Sequence, residues 1–496
     1  MTASGAQKGQ GLRSRVIRGA LLLGCQRALN IAVVALGSIV LARLFLPELF
    51  GTFAFILFVA SLGILAGDLG LGTALIQRQR LDPDVSLDAA FILQLGIAAV
   101  VSGLMVITAP LCIRSFGLAP EAVEPLRGLS ILVPLTALRM PPVVLLERGL
   151  RYGPIVLADT LETLVFYAVA ISGGLSGVGL WSFVLGMIAG KVVAAAILWQ
   201  AAAWRPSLAW NGAALKMLVK EGMPLQGTAA LVTARDGALP ILVVLAGGTA
   251  AVGVLNLASA LSSFPLQVVV SAGRVLRPAL SRIRHDAVAF ATATERAMNG
   301  IAVVLCPLLL MMAVGADPIV RHLYGTVWLP AVPALRWLSV GALIGGLSTI
   351  LVYALHGLGR SDVVMRFNVF WTALLWGLAV VCINQWGPIG FAIANACMAA
   401  TGALTYAAVR RMVSIRVFPQ IGHPLLAGGI AAGLFGVLTQ AFVTGPSSLV
   451  LAAGAALLIY GLTLWLLCGT AWRNEVMADW NRMWSQEIAI SEQAKG

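Results

Sequence analysis

The chain has 496 residues, of which 59% are hydrophobic and 11% are charged, and its mean hydropathy is +0.94. Soluble domains are about half apolar and about a quarter charged, so a soluble fold of this length cannot bury so much apolar surface. The composition therefore excludes a soluble domain and indicates a protein embedded in a lipid bilayer.

Apolar segments long enough to cross a bilayer follow one another along the whole chain. We predict about fourteen membrane-spanning helices, at residues 17–44, 50–76, 88–111, 125–147, 154–175, 179–203, 217–246, 250–276, 288–314, 332–356, 364–384, 388–412, 422–443 and 447–469. Backbone groups in lipid must bond to one another, and these segments lack the two-residue alternation of barrel strands, so the fold class is all-α integral membrane. Very short turns rich in glycine, proline and serine join four pairs of spans into hairpins.

Basic residues are distributed unevenly between the two sets of connecting loops. Most lie in the N-terminus, in the loops after even-numbered spans and in the C-terminal tail, whereas the other set holds only Arg43, Arg114, Arg127 and Arg321. Short cytoplasmic loops carry the excess of lysine and arginine. We therefore predict a multi-pass protein of the bacterial inner membrane with both termini in the cytoplasm, which accounts for the net charge of +13 without a nucleic-acid partner.

A faint internal repeat relates spans 2 and 8. Residues 47–53 open span 2 and residues 250–255 open span 8 in the same sense, so that Gly51 and Gly253 occupy equivalent positions. Many transporters build a central cavity with alternating access from such repeats. We predict a cytoplasmic N-terminus (1–16), an N-terminal six-helix lobe (17–203), a C-terminal six-helix lobe (204–413), two further helices (414–470) and a cytoplasmic amphipathic tail (471–496).

Several ionisable residues fall inside the predicted spans. A charge at the bilayer centre costs about 2.5–3.5 kcal/mol, so these residues are expected to face a helix bundle or an aqueous cavity. Basic residues outnumber acidic ones, which predicts a cavity that binds an anion. The basic residues are Arg27, Arg139, Lys191, Arg235, Arg296 and Arg336, and the acidic ones are Asp68, Asp159, Glu162 and Asp236.

Five of these side chains have a structural alternative. Arg27, Lys191 and Arg336 lie near predicted helix ends, from which they could reach the membrane surface instead of a cavity. Arg235 and Asp236 are adjacent, so they point about 100° apart on one helix and could each pair with a neighbouring helix.

Arg139 and Asp68 lie in unusual local sequences. Arg139 precedes the segment Met140-Pro141-Pro142, and this proline pair is expected to kink the helix and to free carbonyl groups. Asp68 lies among three glycines, at 67, 70 and 72. It could bind a proton or a cation, or the glycines could allow close helix packing while Asp68 pairs with an arginine.

No catalytic or cofactor motif is recognisable in the sequence. The four histidines are isolated, the six cysteines lack metal-ligand spacing, and no phosphate-binding loop is present. We expect no enzymatic activity, no catalytic residues, no cofactor and no metal site. Without a nucleotide site, transport would be driven by an ion gradient or by the cargo's own gradient.

Five segments resemble the polysaccharide transporters of the multidrug/oligosaccharidyl-lipid/polysaccharide flippase superfamily, which include the Wzx-type O-antigen and exopolysaccharide flippases. They are LARLFLPELFG (41–51), AGDLGLGTALIQR (66–78), FPLQVVVSAGRVLRPALSRI (264–283), IVRHLYGTVWLPAVPALRWLS (319–339) and GLGRSDVVMRFNV (357–369). The resemblance implies two pseudo-symmetric lobes around a cationic cavity. It implies that the cargo is an undecaprenyl-pyrophosphate-linked oligosaccharide flipped to the periplasmic face for exopolysaccharide, O-antigen or capsule synthesis. Membrane lipids, a polysaccharide polymerase and chain-length proteins would be its partners.

This cargo assigns roles to the charged residues in the spans. A pyrophosphate requires several fixed cations, and arginine offers phosphate two parallel hydrogen bonds. We therefore predict that the headgroup contacts are Arg139, Arg235 and Arg296, followed by Arg27, Lys191 and Arg336, and that Asp68 couples transport to an ion.

Other functions remain alternatives. Within the same superfamily they are a multidrug antiporter, whose cationic cargo would suit an acidic cavity, and a lipid II flippase, which is expected to share the fourteen helices and the basic cavity. Two alternatives belong to other classes of protein. A membrane-bound glycosyltransferase would need carboxylate or histidine groups arranged at a membrane face. An assembly scaffold would not explain the buried arginines.

Overall fold

The computed structural model describes residues 29–77, 87–207 and 212–467, and every regular element within these ranges is helical. Short 3-10 and π segments connect some of the α-helices. The α-helices are α1 (Leu29–Leu44), α2 (Pro47–Gly67), α3 (Leu71–Gln77), α4 (Leu87–Ser115), α5 (Val123–Leu129), α6 (Leu132–Arg148), α7 (Tyr152–Leu175), α8 (Trp181–Ala202), α9 (Gly212–Asp236), α10 (Ala238–Ser263), α11 (Gln267–Arg282), α12 (Ala287–Val314), α13 (Ala316–Ile319), α14 (Ala331–Gly357), α15 (Ser361–Trp386), α16 (Gly390–Ala400), α17 (Ala403–Arg410), α18 (Phe418–Phe442) and α19 (Pro446–Leu467).

Eleven segments within the described ranges are long and apolar enough to cross a membrane, and α1 is a shorter apolar helix. Two of these segments, Ala229–Ser263 and Ser361–Arg410, each include parts of two predicted spans. They contain Gly248 and Gly387, whose φ angles of 71° and 64° are readily adopted only by glycine. Both glycines lie at turns that the sequence predicted. The all-α membrane fold is confirmed, whereas the number of fourteen crossings remains a prediction.

Five predicted spans are interrupted in the structure, and two of the breaks, in the spans at 125–147 and 388–412, lie at residues 130–131 and 401–402. The span at 50–76 breaks after Gly67, and the chain turns through Gly70, with a φ of 70°, before α3 begins. The span at 217–246 is interrupted at Gly237, and the span at 250–276 at residues 264–266. The breaks were missed because each is very short and apolar segments lie on both sides of it, although Asp68, the Arg235-Asp236 pair and Pro265 stand at three of them. The predicted tail at 471–496 and the segment 1–16 lie outside the described residues.

The chain divides into two compact units. Among the described residues, the first unit contains those up to Leu257 together with Asn368–Phe391, and the second contains Ala258–Phe367 and the residues from Ala392 onward. The predicted lobes, 17–203 and 204–413, have different boundaries. The lobes are defined by a pseudo-symmetric repeat, whereas the two units are defined by compactness. The division into units therefore does not test the lobes, which remain a prediction.

In the first unit, α2 and α10 cross in direct backbone contact at two glycines. A Cβ atom on Gly51 would lie 1.7 Å from the carbonyl oxygen of Thr249, and a Cβ atom on Gly253 would lie 2.0 Å from that of Pro47. No side chain fits between the two helices at this point. These are the glycines that the internal repeat relates, so the two copies of the repeated segment meet each other here.

In the second unit, α12 packs against α14 and also against the helix pair α18–α19. The Tyr460 hydroxyl of α19 donates a hydrogen bond of 2.7 Å to the Val303 carbonyl of α12. The Glu295 carboxylate of α12 accepts a hydrogen bond of 2.6 Å from the Arg416 backbone N–H, just before α18 begins. Polar bonds to α12 therefore fix both helices of this C-terminal pair.

Candidate functional site

A pocket with a volume of about 510 Å³ opens in the first unit beside the middle of α6. The break between α2 and α3, α3 itself, α4, α6 and α8 all contribute to its walls. Its lining residues are Asp68, Gly72, Thr73, Ile76, Gln94, Thr136, Arg139, Met140, Val143, Val144, Glu147 and Lys191. Three of the predicted site residues, Asp68, Arg139 and Lys191, are thus brought together.

An ion-pair network connects α6, α7 and α8 at this pocket. Arg139 Nη1 lies 2.6 Å from Glu162 Oε2, and its Nη2 lies 2.8 Å from Asp159 Oδ1. Lys191 Nζ lies 2.7 Å from the other oxygen of Glu162. The Arg139, Lys191 and Glu162 side chains are only about one-fifth exposed, so solvent screens these bonds less than those of a surface pair. Carboxylates therefore already neutralise both basic residues of the pocket.

The proline pair after Arg139 contributes to the site in a second way. Helix α6 continues through Pro141 and Pro142. Because proline has no N–H, Pro142 leaves the Leu138 carbonyl without its helical donor. Trp199 of α8 donates its Nε1–H to this carbonyl at 2.9 Å. The freed carbonyl that the sequence predicted is thus used to attach α8 to α6 next to Arg139.

Asp68 lies in the break between α2 and α3. Its Oδ1 accepts hydrogen bonds from the Gly70 backbone N–H at 2.9 Å and from Gln94 Nε2 at 3.4 Å. It forms no ion pair with a basic residue in the described ranges, so the expected arginine partner is not seen there. The neighbouring glycine serves close packing, because a Cβ on Gly70 would lie 2.6 Å from the Gly222 carbonyl oxygen of α9.

The other predicted cations lie elsewhere. Arg235 contacts its own neighbour Asp236 at 3.4 Å, rather than a neighbouring helix, and this long, partly exposed contact is expected to be weak. Arg296 on α12 and Arg336 on α14 are exposed and belong to the second unit. Arg27 lies outside the described residues.

Several features of this site were not predicted from the sequence. The acidic residues at 159 and 162 were not paired with Arg139, because pairing depends on which helices are adjacent. The lining of this pocket holds two basic residues and two acidic ones, Asp68 and Glu147. Gln94, 3% exposed, was overlooked, although a lone amide within an apolar span is a recognisable signal.

Two further arginines lie in the second unit, on α11. Arg274 and Arg277 are exposed on this helix, three residues apart, and the Arg277 guanidinium lies 4.8 Å from the centre of the Tyr353 ring. A cation over an aromatic face is stabilised by the charge distribution of the ring. These arginines were predicted to lie at the end of a span and in the loop after it, because the break at residues 264–266 was not predicted.

The fold is shared with solved transporter structures. The inward closed conformation of the lipid II flippase MurJ matches with a TM-score of 0.75 and 15% sequence identity, over 89% of this chain and 98% of that one. An inward-facing multidrug resistance MATE transporter of the MOP superfamily matches with a TM-score of 0.63 and 16% identity, over 77% and 96%. The protein therefore has the fold of the transporters of this superfamily.

The sequence then defines the family. Residues 40–333, more than half of the chain, match the family described as polysaccharide biosynthesis protein, and the chain belongs to this family. The succinoglycan biosynthesis transport protein ExoT of Rhizobium meliloti (strain 1021) is 27% identical over 362 residues, covering 72% of this chain and 71% of that protein. The lipopolysaccharide biosynthesis protein WzxC of Escherichia coli (strain K12) is 22% identical over 397 residues, covering 76% and 77%. The predicted polysaccharide transporter of the flippase superfamily is confirmed.

Proposed function

We propose that the protein flips undecaprenyl-pyrophosphate-linked oligosaccharide repeat units across the inner membrane by alternating access. The observation that carries this proposal is the polysaccharide biosynthesis family match over more than half of the chain. The relative named as a succinoglycan biosynthesis transport protein and the fold shared with a lipid II flippase both support it. The product would enter exopolysaccharide, O-antigen or capsule synthesis.

The pyrophosphate of this cargo requires basic side chains that can release their present partners. Arg139 and Lys191 could bind it only by giving up bonds of 2.6–2.8 Å to carboxylates. We therefore favour the predicted contacts outside this pocket, and we add the two exposed arginines of α11. The proposed headgroup contacts are Arg27, Arg235, Arg274, Arg277, Arg296 and Arg336, and they no longer include Arg139 and Lys191.

Transport would be driven by an ion gradient, with Asp68 as the coupling residue. Its carboxylate lines the pocket and forms no ion pair within the described part of the chain. A proton or a cation could therefore bind it without displacing a described basic partner. The proposal includes both termini in the cytoplasm, no enzymatic activity, and a polysaccharide polymerase and chain-length proteins as partners.

A lipid II flippase is the second candidate function. The observation that favours it is the TM-score of 0.75 against such a flippase. The identity of 15% shows a common fold alone, so the family match gives precedence to the oligosaccharide cargo.

The proposed headgroup contacts can be tested in proteoliposomes. The probe is lipid-linked oligosaccharide isolated from the producing bacterium, and its appearance on the outer face is followed with an external lectin. Arg277→Ala should slow flipping at least ten-fold, because it removes an exposed cation proposed to bind phosphate. The matched control is Arg321→Ala, an arginine that is also exposed and that pairs with Asp317 on the predicted periplasmic side. Equal rates for the two variants would contradict the role of Arg277.

A further inference from the structure

The pocket beside α6 has no excess of positive charge. Its lining holds two basic residues, Arg139 and Lys191, and two acidic residues, Asp68 and Glu147. Both basic residues are already bonded to carboxylates of α7 at 2.6–2.8 Å. A pyrophosphate that entered this pocket would meet no uncompensated positive charge from its lining.

A buried amide in the same pocket has an unused acceptor. Gln94 is 3% exposed, and its Oε1 has no hydrogen-bond partner among the described residues. Its Nε2 makes one long hydrogen bond, of 3.4 Å, to Asp68 Oδ1. Because buried polar atoms are nearly always paired in native proteins, this oxygen marks a position where a ligand can donate a hydrogen bond.

Other polar groups of the lining keep hydrogen-bonding capacity. Both hydrogen bonds described for Asp68 are accepted by Oδ1, so its Oδ2 can accept another. Thr136 donates its hydroxyl proton to the Leu132 carbonyl at 2.8 Å, which leaves its oxygen lone pairs available. Lys191 uses one of its three ammonium protons on Glu162. The rest of the wall is apolar, with Ile76, Met140, Val143 and Val144.

A sugar residue matches this combination of groups. Its hydroxyls both donate and accept hydrogen bonds, its ring carbons present an apolar face, and it needs no net charge from the protein. The volume of about 510 Å³ falls within the range of about 300–1,000 Å³ found for small-molecule sites.

We infer that this pocket binds a sugar residue of the cargo and not its pyrophosphate. The inference rests on the proposed function and assigns the two parts of the cargo to different residues. The pocket of the first unit recognises the glycan, and arginines outside this pocket bind the anionic linkage.

A binding experiment with two lipids distinguishes the contribution of the glycan from that of the pyrophosphate. The probes are the lipid-linked oligosaccharide isolated from the producing bacterium and undecaprenyl pyrophosphate without sugar. Their Kd values for the full-length protein in detergent are measured by native mass spectrometry. The ratio of the two Kd values reports the contribution of the glycan alone, and wild type is expected to prefer the glycosylated lipid at least ten-fold.

Two variants test the pocket, each with a matched control. Gln94→Leu removes the amide at nearly constant volume, and its control is Gln440→Leu, an exposed glutamine of α18. Thr136→Val removes one hydroxyl, and its control is Thr372→Val on α15, a threonine with the same type of intrahelical hydrogen bond. We expect Gln94→Leu to reduce the preference about five-fold and Thr136→Val about three-fold, which is the loss expected for one or two hydrogen bonds. The controls should keep the wild-type ratio.

The outcomes distinguish the inference from the proposed function. A preference that neither variant reduces, or an equal loss of affinity for both lipids, overturns the sugar pocket while leaving the flippase proposal in place. Wild-type protein that binds neither lipid overturns the flippase proposal itself, and the sugar pocket with it.

Discussion

Replacing Gly51 with alanine should force α2 and α10 apart and destabilise the first unit. The new Cβ would lie 1.7 Å from the Thr249 carbonyl oxygen and 2.8 Å from the Gly253 backbone nitrogen. Non-bonded carbon atoms pack at about 3.5–4.0 Å, so the two backbones must separate by about 2 Å. Overpacking costs about 1–3 kcal/mol, and the better helix propensity of alanine returns up to about 1 kcal/mol. We expect a net loss of about 1–2 kcal/mol in the free energy of unfolding.

The assay is equilibrium unfolding in mixed micelles with increasing SDS, followed by circular dichroism. The matched control is Gly103→Ala on α4, where no atom outside the helix lies within 4 Å of the added Cβ. This control should be unchanged or slightly stabilised, because it gains propensity without a clash. Stability of Gly51→Ala equal to that of Gly103→Ala would refute the direct backbone contact.

Three further changes test other parts of the structure. Glu162→Gln removes the carboxylate that Arg139 and Lys191 share, and it should lower the free energy of unfolding by about 1.5–3 kcal/mol. A loss below about 0.5 kcal/mol would mean that the ion pairs contribute little to stability. Trp199→Phe removes the donor to the Leu138 carbonyl and should cost about 1 kcal/mol in the same assay, and an unchanged midpoint would contradict this bond. Glu295→Leu removes the acceptor for the Arg416 N–H and should speed limited proteolysis between α17 and α18, where unchanged cleavage would show that other contacts fix this turn.

The membrane fold could be predicted from composition, because a bilayer imposes long apolar helices on almost any sequence of this hydropathy. Turns that need a special backbone conformation could also be located, and Gly248 and Gly387 lie where expected. The breaks at Gly237 and at residues 264–266 were not predicted, although the adjacent Arg235-Asp236 pair and Pro265 are local signals for them. Hydropathy measures how strongly a segment prefers lipid to water. It does not show where a single turn interrupts a helix.

The candidate site was predicted in part. A charge is costly in lipid, so Arg139 and Lys191 could be assigned to an interior from the sequence alone. Their partners could not, because Asp159 and Glu162 meet them only through the packing of α6, α7 and α8. Counting charges along the sequence therefore could not show that carboxylates neutralise both basic residues of this pocket.

The two glycines related by the faint repeat contact each other in the structure, which the sequence did not predict. Gly51 and Gly253 were related only by their local sequence and their position at the start of a span. The structure places their backbones against each other, which explains why both segments need a residue without a side chain.

The most direct test of the account compares two cargoes for the wild-type protein. Proteoliposomes would receive either lipid-linked oligosaccharide isolated from the producing bacterium or lipid II, and transfer to the outer face would be measured with an external lectin or a glycan-modifying enzyme. We predict rapid transfer of the oligosaccharide and transfer of lipid II at the rate of protein-free liposomes. Transfer of lipid II with no transfer of the oligosaccharide would contradict the proposed cargo.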